Sequence, residues 1–97
     1  PDLFIAVMGD AARLAGFSLM AALQDQGLRV ETDVEGKSLK GQMRRADKLQ
    51  ARYCMVVGED ELAKQSVSLK RMADGEQQTV QLDAVAVAAA VTGGAST

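Results

Sequence analysis

The sequence predicts an α/β fold: a mixed, mostly parallel sheet covered by helices on both faces. Three observations predict it. Leu3–Met8 and Tyr53–Val57 are continuous apolar runs, each followed by a glycine, Gly9 and Gly58. Strands that are apolar on both faces belong inside a parallel sheet, under helices. Strand and helix signals alternate along the chain as β-α-β-α-β, the order that yields parallel neighbours. An Asp-Gly pair within Ala73–Glu76 then marks a hairpin turn, so at least one strand runs antiparallel.

The elements follow in order. After the first strand, Asp10 is the expected N-cap of a helix over Ala11–Gln26, with Leu14, Phe17, Ala21 and Met20 on its inner face. Gly27 stops that helix. Leu28–Thr32 reads as a second strand, with Leu28 and Val30 alternating against Arg29 and Glu31. Asp33–Lys37 is a loop, and Ser38 caps a helix from Leu39 to about Leu49. Tyr53–Val57 is the third strand, and "EDELAK" is a single helical turn. Val67 and Leu69, with Arg71 in the same phase, alternate with Ser68 and Lys70 as an antiparallel strand more exposed than the first three, returning through Thr79–Leu82. Asp83 caps a last helix, rich in Ala and Val, to about Val91. Residues 1–92 form one domain, and residues 93–97 read as a flexible tail. The chain opens directly on a strand without an initiator Met, as a piece of something longer would.

Composition removes several function classes. Ninety-seven residues make one domain with a modest core. Phe4, Phe17 and Tyr53 are the only aromatics, so the core is aliphatic. The chain has no His, which removes most metal sites and every His-based triad. The single cysteine, Cys54, sits in an apolar run and reads as a buried thiol in a reducing compartment. No apolar run approaches the roughly 18 residues of a membrane span, and no secretory signal is visible. The cytoplasm is the expected location. Net charge is −2, so any nucleic-acid role must come from a local patch.

Such a patch exists. "EGKSLKGQMRRADK", residues 35–48, holds five of the chain's eleven basic residues. At about 100° per helical residue, Lys37, Lys40, Arg44 and Lys48 share one stripe, while Leu39, Met43 and Ala46 fall opposite. Arg45 and Arg52 lie off the stripe and widen the patch. Asp47 is the only acid between Lys37 and Arg52; acids are concentrated elsewhere, at 31–35 and 59–61. An amphipathic helix with a merely solvated face is the bland reading. A row of about four unneutralised cations is also what phosphate tracking requires. Without nearby aromatics, base reading would rest on hydrogen bonds from Glu, Gln, Thr or backbone groups. Two further candidates are weaker. "MGDAARLAG" sets a glycine before a helix but lacks the G-x-G-x-x-G pattern, and Asp10 would repel phosphate. The acids of "GEDEL" suit a helix start better than a Mg²⁺ site.

The stretch "GLRVETDVEGKSLKGQMRRADKLQARYCMVVGEDEL", followed by "VSLKRMADGEQQTV", resembles the C-terminal anticodon-binding domain of class II aminoacyl-tRNA synthetases. Within that family it is most similar to the histidine-specific enzymes. The carrying motifs are Gly-x-Ser-Leu-Lys-x-Gln, Ala-Asp-Lys, Ala-Arg-Tyr, Gly-Glu-Asp-Glu-Leu and the Gly-Glu-Gln after the hairpin turn. The resemblance implies a three-layer α/β/α fold with a five-stranded mixed sheet. It implies docking onto a tRNA anticodon loop, expected to be that of the histidine tRNA. It places aminoacylation in a separate catalytic domain that uses ATP and Mg²⁺, in a parent enzyme expected to be a homodimer. None of that domain's class II motifs occurs here, so the chain is expected to bind and to do no chemistry, with no cofactor of its own. By position, Glu31, Thr32 and Asp33 would lie near anticodon bases. Lys37, Lys40 and Gln42 would lie near the loop, with Arg44, Arg45 and Lys48 as further contacts. Gly41 departs from good helix formers at a cost of roughly 1 kcal/mol. Two other readings remain open at this point. One is the same fold in a regulatory or accessory protein without ligase activity. The other is a protein-interaction or small-ligand domain whose basic helix is merely solvated, which salt-dependent RNA binding would argue against.

Overall fold

A computed structural model describes residues 1–33, 36 and 38–93. The order is β1 (Leu3–Val7), α1 (Asp10–Asp25), β2 (Val30–Thr32), α2 (Leu39–Lys48), β3 (Tyr53–Val57), α3 (Glu59–Lys64), β4 (Ser66–Arg71), β5 (Gln77–Gln81) and α4 (Ala84–Gly93). The five strands form one sheet in the order β2-β1-β3-β4-β5. β1 pairs in parallel with β2 and β3, while β3–β4 and β4–β5 are antiparallel. β4 alone therefore opposes the other strands.

Every residue of β1 is buried, as a central strand between two helical layers requires. Leu3, Ile5 and Val7 face a larger core shared with Ala12 and Leu23 of α1 and with Val87, Ala88 and Val91 of α4. Phe4 and Ala6 face a smaller core that contains Ala46 of α2, with Ala51 and Cys54. Helices α1 and α4 pack together on one face, and α2 packs against β1 from the other. This is the three-layer α/β/α arrangement, with a five-stranded mixed sheet.

Local chemistry explains most boundaries. The Ser38 hydroxyl accepts a 3.2 Å hydrogen bond from the Gly41 amide at the start of α2. The Asp83 carboxylate accepts one of 2.8 Å from the Ala86 amide at the start of α4. Gly27 ends α1 with φ 90°, and Gly75 turns the hairpin with φ 75°. Four expectations need correction. The N-cap of α1 is Gly9, at φ 98°, and Asp10 is the first helical residue. The inner face of α1 is also different in part: Met20 packs against the larger core as expected, but Leu14 is 72% exposed and Ala21 is exposed, whereas Ala12 and Gly16 are buried with Leu23. The cause is close packing. A Cβ on Gly16 would lie 2.7 Å from Val7 Cγ1, so small residues, not the large apolar ones, let α1 reach β1. The second strand also starts later, at Val30, and the last strand earlier, at Gln77.

Candidate nucleic-acid interface

The carboxyl end of β2 and helix α2 both lie against β1, which pairs with the edge strand β2 and packs against α2. The β1–β2 pairing ends at Ile5↔Thr32. There the Thr32 hydroxyl donates a 2.7 Å hydrogen bond to the Ile5 carbonyl. Thr32 and Asp33 are both buried, so neither side chain is displayed on the surface. Glu31 points the other way and is exposed. It lines a groove of about 520 Å³ with Pro1, Gln24, Leu28 and Leu49, beside the open edge of β2.

Helix α2 places the cations. Lys40, Arg44 and Lys48 are exposed and Arg45 is half-buried. Among the described residues none of the four forms an ion pair; the recorded pairs join Arg52 to Asp2 and Arg71 to Asp74 and Glu76. Arg52 is thus diverted toward the amino-terminal end, where it also lies 5.8 Å from the Tyr53 ring centroid. Lys37 lies outside the described residues. The opposite face of α2 carries Ala46, buried, and Met43, packed on the smaller core. A helix with one face held this way presents its cations on a fixed line, with successive members of the row about 6 Å apart along the axis.

Gln42 differs from its expected placement. It is 1% exposed. The Val7 amide donates to Gln42 Oε1 at 2.8 Å, and Gln42 Nε2 donates to the Val7 carbonyl at 2.8 Å. Its amide is a bond between α2 and β1, and its solvent-contact role is withdrawn. The physical reason is that two buried backbone groups at the end of β1 need partners.

One residue at this end escaped the sequence reading. Arg13, one turn into α1, lays its guanidinium against the loop: a Cβ on Gly36 would meet Arg13 Nη2 at 3.0 Å. Gly36 has φ 73°, so both its conformation and this neighbour favour glycine. Arg13 Nε is buried without a hydrogen-bond partner among the described residues. The only sequence signal was its place one turn after the first strand. The acids of α3 have a local explanation. The Glu61 carboxylate accepts a 2.8 Å bond from the Gly58 amide and closes the helix start.

Comparisons with known proteins bear on this geometry. Residues 2–89 match a family described as "Anticodon binding domain". The chain is 71% identical over 97 residues to a histidine–tRNA ligase of Trichlorobacter lovleyi, covering all of this chain and 23% of that protein. It is 51% identical over 92 residues to the histidine–tRNA ligase of Geobacter sulfurreducens, covering 95% of this chain and 22% of that one. Among solved structures, apo histidyl-tRNA synthetase of S. aureus superimposes with a TM-score of 0.84 at 38% identity, over 87% of this chain and 25% of that chain. The RNA-binding domain of a threonyl-tRNA synthetase from Cryptosporidium parvum shares the fold, with a TM-score of 0.77 at 21% identity, over 98% of this chain and 23% of that chain. The chain thus spans about a quarter of the length of the curated relatives it matches.

Proposed function

The chain belongs to the anticodon-binding domain family, and from that premise we propose that it docks a histidine–tRNA ligase onto the anticodon loop of its tRNA. The observation that carries this reading is the exposed row Lys40, Arg44 and Lys48, which no acid among the described residues neutralises. The row follows the RNA backbone and supplies affinity without sequence information. Arg45, beside Arg44, widens it, and Lys37, three residues before Lys40 in the sequence, is a further proposed contact. Arg13 adds a cation from a second helix where the loop leaves β2.

Sequence discrimination comes from a different set of groups. Glu31 is a free-standing acceptor at the strand edge, suited to an amino group on a base edge. Thr32 and Asp33 act through the shape they give the loop, since both side chains are turned inward. Gly36 gives that loop its left-handed step. RNA recognition of this kind targets unstacked loop bases whose edges are open to hydrogen bonding.

The rest of the parent enzyme carries the chemistry. In this reading it activates histidine with ATP and Mg²⁺, transfers it to the acceptor end of the tRNA, works as a homodimer and resides in the cytoplasm. The present domain contributes the anchor and no reacting group. A regulatory protein without ligase activity is not favoured, because the relatives named above are ligases. The experiment is a comparison of cognate and scrambled anticodon stem-loops as ligands. Preference for the cognate loop is expected, and equal binding would overturn the reading.

A further inference from the structure

We propose that Gln42 is the positioning residue of the anticodon site: its side-chain amide replaces a missing strand rung and so sets where α2 and the preceding loop begin. The proposal rests on the docking function and adds a specificity device to it.

The argument starts from backbone bookkeeping. In β1 the odd-numbered residues bond toward β2 and the even-numbered ones toward β3, as the Leu3 amide on the Arg29 carbonyl and the Met8 amide on the Val57 carbonyl show. Val7 therefore directs its amide and carbonyl toward β2. The β1–β2 register has already ended at Ile5↔Thr32, while β1–β3 continues to Val7↔Val57. Two buried backbone groups of the central strand thus face a place that β2 has left. Such groups must find partners. A carboxamide offers one acceptor and two donors, so it can stand in for a peptide group. Gln42 does this with two bonds of 2.8 Å. Asn is one methylene shorter. Glu, when ionised, keeps the acceptor and loses the donor.

The consequence reaches the RNA surface. Gln42 stands one turn from the Ser38 cap and between Lys40 and Arg44. In the chain, the segment between Asp33 and Ser38 joins Thr32, fixed to Ile5, to α2, fixed to Val7. Gln42 touches no RNA, being almost wholly enclosed. It acts by keeping the loop and the first cations in register with the sheet.

The test uses the full-length protein in three forms: wild type, Gln42→Met, and Val91→Ala. Met preserves length and removes both bonds. Val91 is fully buried on α4, on the opposite face of the sheet, and serves as a stability control away from the RNA surface. Binding to cognate and scrambled anticodon stem-loops is measured by anisotropy, and exchange at the Val7 amide by hydrogen–deuterium exchange. Gln42→Met is expected to lower the cognate-to-scrambled affinity ratio about tenfold, the scale of one lost base contact. Salt-dependent binding persists, and Val7 exchange accelerates. Val91→Ala keeps the ratio. If Gln42→Met folds poorly, Gln42→Glu, which keeps the bond from the Val7 amide and loses the one to the Val7 carbonyl, lowers the ratio in the same direction. An unchanged ratio in the folded Gln42 variants, or an equal loss in Val91→Ala, overturns the proposal. Absence of discrimination by the wild type overturns the docking function itself, and the specificity role of Gln42 with it. Unchanged Val7 exchange overturns the rung alone.

Discussion

Reversing one charge in the α2 row should change both the strength of RNA binding and its salt dependence, by amounts that can be worked out. Arg44 is exposed in the middle of α2 and has no acidic partner among the described residues. Against a phosphate at about 4 Å, a unit charge in water gains roughly 1 kcal/mol. Arg44→Glu turns that attraction into a repulsion of similar size, a swing of roughly 2 kcal/mol before screening. A Debye length of about 8 Å at physiological salt reduces the swing to roughly 1.2 kcal/mol, which is close to tenfold in Kd. Lys40, Arg44 and Lys48 together neutralise about three phosphates. The slope of log K against log salt should then be near −2 for single-stranded character and should shrink by about 0.7 in the variant. Stability should change by less than about 0.5 kcal/mol, because no buried contact is lost. The assay is anisotropy with a labelled anticodon stem-loop from low to moderate salt. Lys64→Glu, on the exposed surface of α3, makes the same change in net charge and should leave the slope unaltered. Equal effects of the two substitutions would refute the localised row, and no effect of either would refute an electrostatic interface.

Other consequences follow from the packing and the titrating groups. Gly16→Ala gains about 1 kcal/mol in helix propensity, but its Cβ would stand 2.7 Å from Val7 Cγ1. Overpacking against a stiff β-branched side chain costs about 1–3 kcal/mol, so calorimetry should show a lower Tm; a higher one would mean that α1 does not pack this closely. Burial pushes the Cys54 thiol up to about 11, leaving about one thiolate in a thousand at pH 8. Alkylation should therefore require unfolding, and rapid labelling of the native protein would contradict the buried thiol. The carboxyl of Asp2 is held below its ordinary value by the Arg29 amide and then by Arg52. A lowered folded-state value stabilises the fold above the unfolded value near 4 and is lost as pH falls through the folded one. Asp2→Asn should cost up to about 1 kcal/mol at pH 7 and progressively less as pH falls below the unfolded value, as denaturant titration across that range would show; a constant difference would contradict the linkage.

The central strands were legible because burial on both faces leaves an uninterrupted apolar run, and Tyr53–Val57 has its expected limits. The caps at Ser38 and Asp83 were legible for a similar reason, since a hydroxyl or carboxylate before a helical pattern has few other local uses. The inner face of α1 was legible only in part, at Met20. Ranking residues by apolar size favours Leu14 over Gly16, whereas the helix approaches β1 through its smallest residues. Gln42 carried a signal that its chemistry hid: four residues before buried Ala46, it sits only about 40° from the core direction. A polar residue so placed suggests a buried backbone group in need of a partner, and only the early end of β2 reveals that group as Val7. Arg13 had no periodic signal, because its neighbour Gly36 is far away along the chain and reached only by the fold. The cation row was visible because a helix face is a local property. The clustering of acids away from it was legible too; that Lys40, Arg44, Arg45 and Lys48 form no ion pair among the described residues is a tertiary property.

The most direct test of the anticodon reading is equilibrium binding to a labelled histidine-tRNA anticodon stem-loop, near physiological salt. The same stem-loop with a scrambled anticodon is measured beside it, and the full-length protein is used for both. The account predicts tighter binding to the cognate loop, with the salt dependence of a few neutralised phosphates. Equal affinity for the two loops, lost together as salt is raised, would contradict it and leave α2 as a generic cationic surface.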